Sequence, residues 1–130
     1  MSELSPGDAL PELKVTPDRY LTYRYAGASG DFNPIHIDEE FAKSVGLPGR
    51  ILHGLWMMAQ VARGVSAAGD GPDALRRLAV QFRGMGFPEQ EIAVTATVKA
   101  LDGGVAKIET EAVQDGRRII RKGEAEVRVG

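Results

Sequence analysis

The hydrophobic period of this chain changes once, and that change limits the fold more than any other feature. Residues 54–69, GLWMMAQVARGVSAAG, are apolar on nearly every side of a helix, interrupted only by a stripe through Gln60 and Arg63. After Gly71 the period becomes two. Leu78, Val80 and Phe82 alternate with Arg77 and Gln81, and Ile92, Val94, Ala96 and Val98 alternate with Thr95, Thr97 and Lys99. Asp102-Gly103-Gly104 and Asp115-Gly116 are hairpin signals, since tight turns between twisted strands need the positive φ that Gly and Asp tolerate. They divide strands expected over 92–101, 105–114 and 118–129. A helix apolar all round belongs in an interior, and Ala59, Ala62 and Gly64 are small enough to let a sheet come close. The sequence therefore predicts an α+β domain in which an antiparallel meander wraps around a long buried helix.

The first half reads as helical. Thr16, Pro17 and Asp18 supply an N-cap, a proline at the first helical position and an early acid, predicting a helix over 16–28. Asp38 is placed to cap a short helix through Val45, which Gly46 and Pro48 would end. A third helix is expected to begin near Gly54. No internal repeat, low-complexity tract or linker divides the sequence, so residues 1–130 read as a single domain.

Composition narrows the function by exclusion. The 130 residues are 43% hydrophobic and 26% charged, an ordinary globular balance, and 16 Lys and Arg against 18 Asp and Glu give no basic surface for nucleic acid. There is no cysteine, which removes disulfides, thiolate metal sites and a cysteine nucleophile. The start, MSELSPGDAL, lacks a basic flank before an apolar core, and the longest apolar run, 55–59, is too short for a bilayer. A cytoplasmic protein without a signal peptide is the expectation. A five-strand sheet leaves open edges, which favours a dimer.

Chemistry concentrates in residues 29–38, SGDFNPIHID. Asp31, Asn33 and His36 surround Pro34, whose ring restricts the turn between them, and the only other histidine is His53. Taken singly, Asp31 and Asn33 are ordinary loop formers. Together with two histidines beside helix starts they make a candidate site. A catalytic zinc centre normally takes three protein ligands, and the i, i+4 histidine pair is absent, so no metal is expected. No G-x-S-x-G offers a serine nucleophile, and neither glycine-rich phosphate loop occurs. Acid and base chemistry by Asp31 and His36 is what survives.

YAGASGDFNPIH, over 25–36, followed by LPGRILHG, over 47–54, resembles the hydratase motif of the MaoC-like dehydratases, also known as (R)-specific enoyl-CoA hydratases. The resemblance extends over essentially the whole chain and implies a single hot-dog domain. It further implies (R)-specific hydration of trans-2-enoyl thioesters of CoA or acyl-carrier protein, or dehydration of (R)-3-hydroxyacyl thioesters, with no cofactor. Asp31 and His36 match the family's catalytic pair, and Gly54 matches the backbone N–H that faces the thioester carbonyl. Around them Asn33 is expected to brace the loop or touch substrate, and His53 to neighbour the oxyanion site. Phe32 and Trp56 are candidates to line the acyl tunnel, against the plainer role of core residues. Whether Asp31 or His36 gives the proton is left open. The expected assembly is a homodimer; the alternatives are a heterodimer with another hot-dog subunit, in which this chain supplies the catalytic pair, and a thioester-binding protein or thioesterase. One stretch departs from the family pattern: RGMGFPEQE, 83–91, stands where many relatives carry a Pro and Gly-Asp turn.

Overall fold

The helix at the change of period packs against a five-stranded antiparallel sheet, as the computed structural model of residues 4–130 shows. Met1, Ser2 and Glu3, part of the stretch read above for a leader, lie outside the described residues. In chain order the elements are β1 (Leu13–Val15), α1 (Leu21–Ser29), α2 (Pro34–Ile37), α3 (Glu39–Ser44), α4 (Gly54–Ser66), β2 (Leu75–Phe82), β3 (Ile92–Asp102), β4 (Val105–Gln114) and β5 (Arg117–Arg128). The arrangement is the hot-dog fold that the sequence implied.

β3, β4 and β5 form the expected meander. Gly103 and Gly104 have φ of 59° and 82°, and Asp115 and Gly116 have 51° and 71°, so both hairpins turn through two left-handed residues. Along β3, Ile92, Val94, Ala96 and Val98 are buried while Thr95 and Lys99 are exposed, the alternation read from the sequence. Two expectations need correction. The sheet order is β1-β3-β4-β5-β2, so β2 pairs with β5 and is not the first strand of a continuous meander; side-chain period gives no information on which neighbour a strand chooses. Phe82 does not continue the buried face of β2. The register with β5 shifts between Ala79 and Gln81, and such a bulge turns the following side chains over, leaving Phe82 48% exposed.

The core runs along one face of α4. Val61 and Val65 are fully buried, and each full burial of such a side chain contributes about 1.5–3 kcal/mol. One end packs Val65 and Ala68 against Ala96, Val98, Ile108 and Val127; the other packs Met57 and Val61 against Val94, Ile119 and Ile120. A Cβ at Gly64 would stand 2.9 Å from Val94 Cγ1, which shows how near the helix and β3 come. The helix is nevertheless not buried all round in this chain. Leu55, Ala59 and Arg63, four residues apart, form an exposed face, whereas Gln60 is buried with its amide on Trp56 O and on Arg63. Of the polar stripe, Arg63 thus lies on the outward side, while Gln60 satisfies its amide within its own helix and so can face inward.

The helix expected from Thr16 starts later, at Leu21, without a side-chain cap. Pro17 is buried and its carbonyl accepts a hydrogen bond from Glu89 N at 2.6 Å, which holds 16–18 against the 83–91 segment. Asp18 instead accepts from Tyr20 N and pairs with Arg24. The Asp38 cap forms as expected, on Phe41 N at 3.1 Å, and Gly46 follows α3 with φ 92°. No helix of the described residues is long and apolar enough to cross a membrane.

Candidate active site

The end of α1 begins the site. Gly30 takes φ 80° and closes the helix through its N–H on Ala26 O, while Ser29 Oγ accepts from Asp31 N at 3.2 Å. Only a left-handed residue reverses the chain this sharply, so glycine suits the position. Asp31 Oδ1 then accepts from Asn33 N at 3.2 Å, and Asn33 Oδ1 accepts from Ile35 N at 3.3 Å. With Pro34 as its first residue, α2 is a single turn capped by Asn33, and it carries His36 inward to 7% exposure. The sequence placed His36 beside a helix start; it lies inside this extra turn, two residues before the Asp38 cap of α3.

Two backbone carbonyls fix the imidazoles, one from the segment before α4 and one from the loop after α1. His36 Nδ1 lies 2.8 Å from Ile51 O, and His53 Nε2 lies 3.0 Å from Asp31 O. A carbonyl only accepts, so both of these nitrogens carry hydrogen. Neutral His36 therefore presents an acceptor, Nε2, toward the solvent side, where Asp31 Oδ2 stands 3.9 Å away. The Asp31 side chain is 53% exposed, so the carboxylate is reachable from outside while the imidazole is held within. The rings of His36 and His53 stack with centroids 3.9 Å apart, and Tyr25 meets His53 edge-on at 4.7 Å. Burial lowers the pKa of His53 below the usual histidine range; its bond to the Asp31 carbonyl opposes this and neighbouring His36 adds to it. His53 is thus neutral at neutral pH.

Ligand atoms of Asp31, His36 and His53 fall within 4.8 Å of one another, the composition of a metal site. Their orientation suits a metal poorly. Stacked imidazoles aim their lone pairs along nearly parallel planes rather than at one centre. The arrangement fits proton transfer better.

His53 is also the N-cap of α4, with extended φ and ψ of −68° and 136°, so Gly54 opens the helix next to a ring stacked on His36. The first N–H groups of a helix have no partner within it, and the dipole makes this end favourable for negative charge. Among the other residues singled out, Trp56 packs partly buried against the core, whereas Phe32 is 58% exposed and is no core residue. Phe82 reaches α4 as well: a Cβ at Gly54 would lie 3.4 Å from its ring. Sequence reading assigned Phe82 to a strand face and had no signal for this approach. Tyr25 stood within the quoted motif without a role, and the Ile51 carbonyl, being backbone, leaves no trace in residue type.

The departing segment 83–91 is well tied. Gln114, fully buried, bonds Phe87 N, Phe87 O and Gln90 O, and Gly86 O accepts from Leu52 N at 2.8 Å. It thus abuts the strand of chain that leads into His53. At the far side Arg117 donates to Met85 O and Arg118 pairs with Glu111, which commits half of the cations of 117–122 to the fold.

Residues 5–119 match the family model described as the MaoC like domain. The fatty acid synthase beta subunit TOXC of Cochliobolus carbonum is 36% identical over 107 residues, 79% of this chain and 5% of that protein. The peroxisomal enoyl-CoA hydratase 2 of Arabidopsis thaliana is 33% identical over 93 residues, 69% of this chain and 29% of that protein. A solved structure described as a MaoC-like dehydratase superposes with a TM-score of 0.93 at 32% identity, covering 98% of this chain and 41% of its own. The chain thus spans a small part of the curated relatives it matches.

Proposed function

The chain belongs to the MaoC-like domain family, and on that premise we propose that it hydrates trans-2-enoyl thioesters to (R)-3-hydroxyacyl thioesters and catalyses the reverse dehydration. The observation that carries this reading is the pair of acceptors, Asp31 Oδ2 and His36 Nε2, facing each other across 3.9 Å. That gap is too long for a direct bond, and a water about 2.8 Å from each atom bridges it by donating one hydrogen to each. Its oxygen lone pairs then point away from the protein, toward an electrophile. In hydration the water oxygen forms a bond to the β-carbon, one O–H bond breaks, and the pair takes that proton. The electrons of the double bond move onto the thioester oxygen, and the Gly54 N–H stabilises the charge that develops there. A proton returned to the α-carbon completes the addition.

In this reading Asn33 holds the loop, His53 orients the pair, and Phe32 and Trp56 flank the acyl chain. The expected homodimer and cytoplasmic location belong to the same proposal. The deciding experiment incubates the purified chain with crotonyl-CoA and longer trans-2-enoyl-CoA esters, following loss of the enoyl-thioester absorbance and the configuration of the product. An (R)-3-hydroxy thioester supports the proposal. A folded chain that acts on nothing until a second hot-dog subunit is added makes it one half of an unlike pair, and release of free CoA from saturated acyl-CoA makes it a thioesterase.

A further inference from the structure

We propose that Arg50, braced by Glu39, is a positioning residue that determines which nitrogen of His36 faces Asp31. The Arg50 side chain is only 12% exposed. Its Nη1 donates to Thr22 Oγ1 at 2.7 Å and its Nη2 to Arg19 O at 3.1 Å. Its Nε is 3.8 Å from Glu39 Oε2, and its guanidinium lies 4.6 Å over the Tyr23 ring. Glu39 also accepts the backbone N–H of Arg50 at 2.7 Å through its other oxygen. The residue is therefore fixed by both main chain and side chain, to α1 on one side and to α3 on the other. Gly49 makes this possible, since a Cβ there would collide with Glu39 Oε1.

What Arg50 fixes is the peptide that follows. Ile51 N donates to Ile35 O at 3.1 Å, and Ile51 O accepts from His36 Nδ1 at 2.8 Å. That acceptor holds the hydrogen on Nδ1 and leaves the lone pair on Nε2, the tautomer needed to take a proton from a water shared with Asp31. Burying a guanidinium is costly, and a set of apolar side chains would fill the same space with less desolvation. The planar fork does what an apolar residue cannot: it ties a hydroxyl, a backbone carbonyl and a carboxylate to one rigid group.

The inference rests on the reading of His36 as a residue that acts on water, so its test has a readout free of turnover. In protein labelled with ¹⁵N-histidine, two-bond ¹H–¹⁵N correlation spectra distinguish the tautomers, and a His36→Gln variant assigns the signals. Wild-type His36 is expected to show hydrogen on Nδ1 alone when neutral. Arg50→Met is expected to give a tautomer mixture, and to lower kcat on crotonyl-CoA by about 100-fold with much less change in KM, the loss typical of a small misplacement of a reacting group. Arg50→Lys keeps the charge without the fork and should restore only part of both. If Arg50→Met does not fold, Glu39→Gln and Arg50→Lys carry the same comparison. A folded Arg50 variant with the wild-type tautomer pattern overturns the proposal, as does a wild type with hydrogen on Nε2. A shifted tautomer in a protein whose wild type hydrates nothing would leave the positioning role standing and remove the proposed reaction.

Discussion

The proposed sharing of one water by two acceptors 3.9 Å apart has a specific consequence for mutation. Asp31→Asn keeps an oxygen for Asn33 N and leaves the loop intact, yet it replaces the carboxylate by a poor proton acceptor. Asp31→Asn and His36→Ala are each expected to lower turnover by about 10²–10⁴-fold, the range for loss of a general acid or base. The double variant should be little worse than either, since groups acting as a unit are not additive; multiplicative losses measured by steady-state kinetics would mean that they do not share one water. His53 gives a second expectation, on stability. Its pKa is lowered by folding, so below the ordinary histidine value the unfolded chain binds a proton that the folded one refuses, and stability falls as pH drops. Above that value both states are neutral and the effect vanishes. His53→Gln should flatten the decline in denaturation midpoint between about pH 7 and pH 5; an unchanged slope would show that His53 is not its source. At this scale the sequence exposed side chains with distinctive chemistry, and the structure brings Asp31, His36 and His53 together. It concealed what depends on backbone, such as the Ile51 carbonyl, and what depends on burial, such as the setting of Arg50.

Elements were legible where local signals agreed with their surroundings. The Asp38 cap, the Gly54 start and both glycine turns act over a few residues, and each formed where the sequence put it. The Thr16 cap failed because a contact distant in sequence, Glu89 N on the Pro17 carbonyl, holds that segment outside the helix. β1 has three residues, too few for any period to show. The order of β2 in the sheet depends on long-range pairing that side-chain alternation does not encode. The start of α4 also permits an unusually clean substitution. Proline is well suited to the first helical position, where its missing N–H has no intrahelical partner, and it requires an extended residue before it. His53, at φ −68° and ψ 136°, already has that conformation. Gly54→Pro should therefore keep the fold by circular dichroism and thermal melting while lowering kcat by about 10²–10³-fold, the cost of one oxyanion donor. Gly54→Ala retains the N–H, and its Cβ makes ordinary contact with Phe82, so it should lose far less. A folded Gly54→Pro protein with wild-type turnover would remove Gly54 from the chemistry.

For the whole molecule, the question is what covers the outward face of α4. Large apolar side chains stand exposed near the site: Leu55 is 67% exposed, Phe32 58%, Phe82 48% and Met85 40%. The two ends of the sheet are also unequal. Residues before β1 run along β3, with Gly7 N on Val98 O and Leu10 N on Ala96 O, and so prolong the pairing begun by the short β1. Among the described residues no strand lies beyond β2 or beyond β1, and β2, with eight residues against three, is the longer open edge. A second copy seated along β2 and the adjoining end of α4 would bury these side chains and close the exposed side of the Asp31 and His36 pair. We expect a dimer at micromolar concentration by sedimentation velocity, and a monomer for Leu55→Glu. That substitution isolates the interface, because an acid in the first turn of a helix favours the helix through its dipole and leaves the monomer's fold intact. A wild-type chain that sediments as a monomer and still turns over enoyl thioesters at full rate would show that the face needs no partner. A Leu55→Glu chain that remains dimeric would move the interface away from α4.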